Sequence, residues 1–182
     1  MVEDRERWNE KHANKKLPTQ VLELLEQHTN FAKKGTALDI ACGQGRNSYH
    51  LAQNGFNVDA VDISNVALEG LTAHQNISTI EADLDSYVIE ENRYDIIVNS
   101  YFLHRRLFPY MIDGLKKEGI LIFETFLQGE GTPGASNPDF LLRKNELLHA
   151  FLTLQVLHYK ELLTINSRGE NVMVAQLVAK KS

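Results

Sequence analysis

The feature that most constrains the fold of this chain is a short apolar run that leads into two glycines one residue apart. Residues 37–42 have the length and composition of a buried β-strand, and Gly43 and Gly45 follow directly. Residues 46–54 contain neither glycine nor proline and are predicted to form a helix. Glycine tolerates positive φ and lets a ligand lie against the main chain, where a Cβ would collide. This order of strand, tight turn and helix predicts an α/β fold with a ligand site at the turn.

An acidic residue stands where a nucleotide site of this kind needs one. Asn54 and Gly55 are predicted to end the helix, and residues 57–62 form a second strand that ends in Asp62. A carboxylate at this point can accept hydrogen bonds from both hydroxyls of a ribose. Ser48 occupies the third position of the dinucleotide pattern, where Gly or Ala allows close helix packing. That substitution counts against NAD or FAD, but not against an adenosyl ligand that lacks a pyrophosphate.

Residues 38–47 together with Asp62 resemble motif I and the following acid of class I S-adenosylmethionine-dependent methyltransferases. The Gly-Gln-Gly-Arg-Asn form of the turn is similar to the small tellurite-resistance and thiopurine-like branch of that family. The resemblance extends from about residue 19 to the C-terminus. It implies a Rossmann-like three-layer sandwich, an α/β fold with a seven-stranded, mostly parallel sheet in the order 3-2-1-4-5-7-6, and S-adenosyl-L-methionine as the cofactor. We expect residues 1–182 to form a single domain with residues 1–18 as an N-terminal arm or lid.

The rest of the chain contains segments that fit such a sheet. The last two predicted strands are separated by only a short turn, so they should pair antiparallel. A loop rich in glycine and proline, residues 128–138, is interpreted as a lid on the substrate side. The further predicted strands are 76–83, 94–99, 119–126, 154–162 and 171–179. One further helix is predicted to start at Pro18 and another after an N-cap at Ser64. A third runs to about Leu115 with an interruption at Pro109, and a fourth covers 146–152.

The cofactor-binding residues are expected where strands end, because ligands of open α/β sheets bind beyond the carboxyl ends of the strands. The carboxylate of Asp83 can accept the exocyclic amine of adenine, with the N–H of Leu84 reaching a ring nitrogen; the alternative is that Asp83 only caps a loop. Asp39 is interpreted as an acceptor near the amino group of the ligand, and the resemblance implies that the methionine portion lies near Asn99. The predicted cofactor-binding residues are Asp39, Ala41, Gly43, Gly45, Arg46, Asp62, Ile63, Asp83, Leu84 and Asn99.

The methyl acceptor is expected near the residues that follow the fourth strand. The resemblance places it near Tyr101 and His104, which are therefore the catalytic candidates. His104 would act as the base for an oxygen or nitrogen nucleophile; otherwise it contacts substrate or is structural. In the resembling family an N-terminal arm with a Trp and a His often folds over the cofactor, whereas the simpler alternative is that Trp8 anchors a solvated arm. The predicted substrate-binding residues are Trp8, His12, Arg46, Tyr101, Arg105 and Phe126.

The composition of the chain disfavours several classes of binding partner. A net charge of −5 weighs against nucleic acid, because affinity for a polyanion rests largely on Lys and Arg. A single cysteine excludes an internal disulfide and a cysteine-based metal framework, and we predict no metal. No apolar run reaches the roughly 18 residues of a membrane span, and the charged N-terminus lacks a signal-peptide core. We therefore expect a cytoplasmic protein without a membrane partner, either a monomer or a homodimer.

Three functional hypotheses remain. The favoured one is methyl transfer to a small-molecule acceptor, a soft anion such as a metalloid oxyanion or a thiol, since a chain of this length leaves no separate substrate domain. In-line displacement by such a nucleophile needs alignment more than acid–base catalysis. A methyltransferase for protein or nucleic acid is disfavoured. Amino-methylating DNA and glutamine enzymes of the resembling family typically carry an Asn-Pro-Pro-Tyr or Asp-Pro-Pro-Tyr tetrapeptide after the fourth strand, and this chain has neither there. A non-catalytic or NAD-binding Rossmann protein would show no affinity for S-adenosylhomocysteine.

Overall fold

The structure, a computed structural model, describes residues 2–14, 18–129, 138–166 and 169–182. Seven strands form one sheet in the order β3-β2-β1-β4-β5-β7-β6, which confirms the predicted order. β1 to β5 pair in parallel, whereas β7 is antiparallel to both of its neighbours, β5 and β6. The strands are β1 Thr36–Ile40, β2 Asn57–Asp62, β3 Ile77–Glu81, β4 Tyr94–Ser100, β5 Leu115–Phe126, β6 Gln155–Ile165 and β7 Asn171–Lys180.

Six α-helices occur in the described part of the chain. None of these helices has both the length and the apolar character needed to cross a bilayer. Of the predicted lid at 128–138, residues 130–137 lie outside the described residues. The helices are α1 Val2–Asn14, α2 Glu23–His28, α3 Arg46–Gln53, α4 Asn65–Leu68, α5 Leu107–Gly114 and α6 Glu146–Ala150.

The sheet is covered by apolar side chains on both faces, as expected for parallel strands in the middle of a sheet. Leu38, Ile40 and Ile97 pack on one face with side chains from α5 and α6. Ala37 and Val98 pack on the other face with side chains from α2 and α3. Consecutive residues of each strand thus point to opposite layers, so the three-layer sandwich leaves the carboxyl ends of the strands as the edge where polar side chains collect.

Several predicted boundaries were wrong, each for a local reason. Strand β5 starts at Leu115 rather than at 119, because Leu115 pairs with Tyr94. Pro109 does not interrupt α5, since it is the third residue of the helix, where a missing N–H costs no intrahelical bond. Helix α2 starts at Glu23 rather than near Pro18, and the N–H of Leu22, just before it, donates to the side chain of Asn47 at 3.0 Å instead.

Candidate active site

The turn between β1 and α3 is built from residues with positive φ. Ala41, Gly43 and Gly45 have φ values of 52°, 55° and 77°. The Gly45 N–H donates to the Cys42 carbonyl at 3.0 Å, which closes the turn. A Cβ on Gly45 would lie 2.2 Å from Cδ2 of Leu71, so a side chain there would meet the core. Glycine is therefore required at 45 by both backbone conformation and packing.

Asp62 connects this turn to the end of β2. Its Oδ2 accepts the Gly43 N–H at 2.8 Å, and its Oδ1 accepts the Ser64 N–H at 2.9 Å. The side chain is almost fully buried. An ionised carboxylate has about four lone-pair positions, so about two remain for other donors. The geometry therefore fixes the carboxylate by two backbone N–H groups and leaves it acceptor capacity for further donors.

Asp39 is the most strongly perturbed acid of the site. It is completely buried on β1, and its Oδ2 accepts the Ser48 hydroxyl at 2.6 Å. Burial raises its pKa to about 7, against the opposing effects of the Ser48 hydrogen bond and the Arg46 charge. Its other oxygen, Oδ1, has no hydrogen-bond partner among the described residues. Ser48, which stands where the dinucleotide pattern has its third glycine, thus orients Asp39.

Unpaired buried polar atoms cluster around this edge of the sheet. In the part of the chain that the structure describes, four buried side-chain atoms lack a partner: His12 Nδ1, Asp39 Oδ1, Asn99 Oδ1 and Arg106 Nε. Asp39 and Asn99 are the next-to-last residues of the adjacent strands β1 and β4, and Asn99 is paired in register with Ile40. Buried polar groups are nearly always hydrogen-bonded, so such a cluster marks a place where a ligand or water completes the bonding.

Helix α1 lies over the glycine turn. The His12 ring approaches Gly43 so closely that a Cβ there would be 3.3 Å from His12 Cε1, and the Gln44 side chain donates to the His12 carbonyl at 3.4 Å. Burial lowers the pKa of His12, which favours the neutral imidazole. Asn9 ties the helix to α4: Ser64 donates to its Oδ1 at 2.7 Å, and its own amide donates to Asn65 at 2.8 Å. The Trp8 ring centroid is 6.0 Å from that of His12. The structure thus brings His12 to the candidate site, with Trp8 one turn before it on the same helix.

The segment after β3 is held by residues that follow β4. Arg106 Nη2 donates to the carbonyls of Leu84 at 2.9 Å and Tyr87 at 2.6 Å. His104 Nε2 lies 2.9 Å from Oδ1 of the exposed Asp85. Asp83 Oδ1 accepts the N–H of residue 85 at 3.0 Å, so the loop-capping alternative holds for one of its oxygens. His104 and Arg106 therefore contact the segment predicted to bind adenine.

Tyr101, the residue after β4, packs beside residues of β5. Its φ is 54°, its phenol donates to Glu124 Oε1 at 2.5 Å, and its ring centroid is 5.1 Å from that of Phe126. The guanidinium of Arg46, at the start of α3, lies 5.6 Å from the Tyr101 ring centroid. Burial and the adjacent Glu124 raise the phenol pKa, so the phenol keeps its proton. The predicted substrate residues Arg46, Tyr101 and Phe126 thus meet at the carboxyl ends of β4 and β5.

The two predicted substrate arginines differ in what they contact. Arg105 makes a two-pronged ion pair with Glu146 at 2.5 and 3.0 Å and donates to the carbonyls of Asp139 and Leu141. Most of its donors are therefore engaged by the segment that leads into α6. Arg46 makes one described hydrogen bond, to the Gln20 carbonyl at 3.0 Å, and faces Tyr101. Of the two, Arg46 is the cation that the structure brings to the turn.

Sequence reasoning missed Glu124 and Gln176. Glu124 is almost fully buried on β5, and Gln176 on β7 donates to its Oε2 at 2.7 Å. The available signal was a single carboxylate inside the apolar run of residues 119–126. Gln176 carried no signal, because only the antiparallel register, in which Glu124 faces Gln176, brings them together.

Comparison with known proteins agrees with this architecture. The family model described as "Tellurite resistance protein TehB" matches residues 1–171. A Haemophilus influenzae protein named "Probable S-adenosyl-L-methionine-dependent methyltransferase TehB" is 30% identical over 136 residues, which is 68% of this chain and 47% of that protein. The chain thus spans about half the length of this curated relative.

Two solved structures share the fold. The crystal structure of TehB from Haemophilus influenzae superimposes with a TM-score of 0.75 at 22% identity and covers 98% of this chain and 67% of that chain. A methyltransferase from Methanosarcina mazei, described as SAM-dependent, superimposes with a TM-score of 0.71 at 18% identity, covering 89% of this chain and 98% of that chain.

Proposed function

Because this chain belongs to the TehB family of tellurite resistance proteins, we propose that it is an S-adenosyl-L-methionine-dependent methyltransferase that acts on a small-molecule acceptor. The proposed transfer is an in-line displacement to a soft nucleophile, such as a metalloid oxyanion or a thiol. The proposed compartment is the cytoplasm. The relative's name supports the cofactor and the reaction, and the geometry of the site supports them independently.

The observation that carries the proposal is the group of unsatisfied acceptors beside a glycine turn. Asp39 Oδ1 and Asn99 Oδ1 are buried oxygens without a partner among the described residues, and Asp62 has acceptor capacity left. S-adenosylmethionine carries ribose hydroxyls, an adenine amine and an ammonium group, all of which donate hydrogen bonds. A ligand rich in donors fits an edge that is rich in acceptors.

Different residues would bind different parts of the cofactor. Asp62 would accept the ribose hydroxyls, the segment at 83–84 would hold the adenine, and Asn99 would lie near the methionine portion. When bound, the cofactor supplies an electrophilic methyl group on a sulfonium. Helix α1, with His12 against Gly43, would exclude water from the reacting groups. Alignment and exclusion of water contribute on the order of 7–11 kcal/mol to such a reaction.

The small-molecule acceptor is supported by how crowded the edge is. Tyr101, Phe126 and Arg46 lie close together, and α1 packs over the neighbouring turn. This arrangement suits an acceptor of a few heavy atoms better than a folded protein or a duplex. Arg46 would attract an anionic acceptor.

The test is calorimetric titration of the protein with S-adenosylhomocysteine, with NAD as the control ligand. We expect micromolar binding of S-adenosylhomocysteine, a matching rise in melting temperature and no response to NAD. Tellurite, selenite and dithiothreitol are then incubated with the protein and S-adenosylmethionine, and methyl transfer is followed as S-adenosylhomocysteine release. Absence of S-adenosylhomocysteine binding would refute the proposed cofactor, and binding without transfer to any small acceptor would refute the proposed acceptor class.

A further inference from the structure

We propose that Tyr101 and Glu124 form a proton-accepting pair, with which the site methylates a nucleophile that still carries its proton, such as a thiol. This inference rests on the proposed function and deepens it, since it names the class of acceptor and two groups that act on it. Three groups support it, namely a buried carboxylate, the phenol that donates to one of its oxygens and the amide that donates to the other.

Glu124 is buried without a cationic partner. The residue is 4% exposed and follows the buried apolar residues 120–123 of β5. Its two oxygens accept from the Tyr101 phenol at 2.5 Å and the Gln176 amide at 2.7 Å. No Lys, Arg or His of the described residues forms an ion pair with it. Burying a carboxylate without a cationic partner is costly, so a purely structural role would be better served by a neutral side chain.

The phenol oxygen of Tyr101 keeps acceptor capacity of its own. The phenol proton is directed to Glu124, which leaves the lone pairs of the phenol oxygen for another donor. The backbone is pinned as well, since the Tyr101 N–H donates to the Glu124 carbonyl at 2.8 Å and φ is positive. A non-glycine residue with positive φ persists only where its surroundings impose it. The residue is 37% exposed, so Tyr101 is not sealed inside the core as Glu124 is.

The proposed step conserves atoms and charge. The sulfur of a thiol attacks the methyl carbon, a new sulfur–carbon bond forms, and the bond from the methyl carbon to the sulfonium sulfur breaks, with its electron pair remaining on the departing sulfur. The thiol proton passes to the Tyr101 oxygen while the phenol proton passes to Glu124 Oε1. The products are a methyl thioether, S-adenosylhomocysteine and a protonated Glu124, which returns its proton to solvent when the products leave. No oxidant, reductant or metal is needed.

The decisive variant is Glu124→Gln. Glutamine keeps the shape and both hydrogen bonds, with its oxygen facing the phenol and its amide facing a flipped Gln176, but it cannot take up a proton. We expect kcat with dithiothreitol to fall about 100-fold or more, because general base catalysis contributes about 10²–10⁴-fold. Affinity for S-adenosylhomocysteine and melting temperature should stay close to those of the wild type. Tyr101→Phe should lose a similar factor, and the double variant no more than either single variant.

Two readouts separate a proton acceptor from a structural support. The loss in kcat for Glu124→Gln should shrink as the pH rises through the pKa of the dithiothreitol thiol, since the thiolate needs no base. In the protein without cofactor, Glu124→Gln should also lower the pH at which one tyrosine ionises, seen as tyrosinate absorbance, because the neighbouring carboxylate raises the Tyr101 pKa. That titration should be absent in Tyr101→Phe.

The chain supplies a matched control in a second hydrogen-bonded pair of Tyr and Glu. Tyr159 donates to Glu161 at 2.6 Å on β6, the strand at the edge of the sheet. Tyr159→Phe and Glu161→Gln change the same functional groups and should leave kcat and its pH dependence unchanged.

Each other outcome overturns the proposal. Full activity of Glu124→Gln with dithiothreitol, a loss that is the same at every pH, or a parallel loss of S-adenosylhomocysteine affinity and melting temperature would assign Glu124 a structural role. Wild-type transfer to tellurite or selenite without transfer to dithiothreitol would refute the acceptor class and leave the proposed function intact. Failure of the wild type to bind S-adenosylhomocysteine would refute the proposed function as well.

Discussion

At the level of single residues, the conformation of the candidate site depends on Gly45 and Asp39, and replacing either should change the free energy of unfolding. Gly45 combines a left-handed φ of 77° with a Cβ direction that is blocked by Leu71. Asp39 is an acid without solvent contact that one hydroxyl orients. The first feature arises where the turn packs against Leu71, and the second where α3 packs against β1. Both can be tested by stability measurements.

Gly45→Ala and Gly169→Ala separate backbone strain from steric overlap. The two glycines share a φ of 77°, but a Cβ on Gly169 would have no atom within 4 Å. We expect Gly169→Ala to lower the free energy of unfolding by about 1–2 kcal/mol through the left-handed conformation. Gly45→Ala should cost about 1–3 kcal/mol more through overpacking. Urea unfolding measures both, and equal costs would contradict the overlap with Leu71.

Asp39→Asn should remove a pH dependence of stability. The pKa of Asp39 is raised from 3.8 to about 7 in the folded chain, so the folded state holds this proton where the unfolded state has released it. The stabilising contribution is complete below pH 3.8 and is lost as the pH rises to about 7. Asparagine keeps an acceptor for Ser48. The difference in unfolding free energy between wild type and Asp39→Asn should therefore move in favour of the variant across this range; a constant difference would contradict the raised pKa.

At the level of elements, helix α1 is attached to the site mainly by polar contacts rather than by an apolar face. Asn9 bonds to Ser64 and Asn65, Gln44 bonds to the His12 carbonyl, and Arg5 forms an exposed ion pair with Glu81. Hydrogen bonds of this kind contribute about 0.5–1.5 kcal/mol each. A helix held in this way can detach without global unfolding, as a cover over a ligand site must.

Asn9→Ala should loosen α1 while the sheet stays intact. Loss of two hydrogen bonds at about 1 kcal/mol each should speed amide hydrogen exchange in α1 by roughly 5–30-fold, and it should speed release of S-adenosylhomocysteine. Arg7→Ala is the control, since the described contact of Arg7 is an exposed ion pair with Asp4 in the same helix. Equal exchange rates in both variants would show that Asn9 does not hold the helix.

At the level of the whole molecule, polar side chains at the carboxyl ends of the parallel strands differ in role from those at the amino ends. At the carboxyl edge, Asp62 fixes the glycine turn with acceptor capacity to spare. At the amino edge, Asp95 accepts the Thr36 N–H at 2.8 Å and the Lys116 ammonium at 2.7 Å, so it joins β1, β4 and β5. Parallel strands impose this division, because all their carboxyl ends meet on one side.

Asp62→Asn and Asp95→Asn make the same chemical change, from a carboxylate to an amide. They should differ in their effect on cofactor binding. Both should lower the melting temperature, because each weakens a charge-assisted bond to a backbone N–H. Asp62→Asn should weaken S-adenosylhomocysteine binding about 10–100-fold, in line with the worth of hydrogen bonds to a charged group. Asp95→Asn should leave this affinity unchanged. Calorimetric titration of both variants decides the matter, and an equal loss of affinity would refute the ribose role of Asp62.

Much of the fold could be predicted because it depends on local patterns. The strand, the glycine turn and Asp62 were recognisable by residue type and spacing, the apolar run of β4 indicated a buried strand, and the short connection between β6 and β7 indicated their antiparallel pairing. The order of the strands followed from the family resemblance. The N-cap at Ser64 was also predicted and is confirmed by its bond from the Ala67 N–H. These features arise between residues close in sequence, where backbone preference and periodicity act directly.

What only the tertiary structure decided involves partners far apart in the chain. Glu124 meets Gln176 through the antiparallel register, Arg106 reaches the carbonyl of Leu84 across two strand ends, and His12 covers Gly43 because α1 folds back. Ser48 gained its role only when α3 packed onto Asp39. Periodicity carries no information about which side chains meet across such distances, because that depends on the packing of the whole sheet. The sequence alone therefore determined where the candidate site is expected, and the tertiary structure determined which groups face each other there.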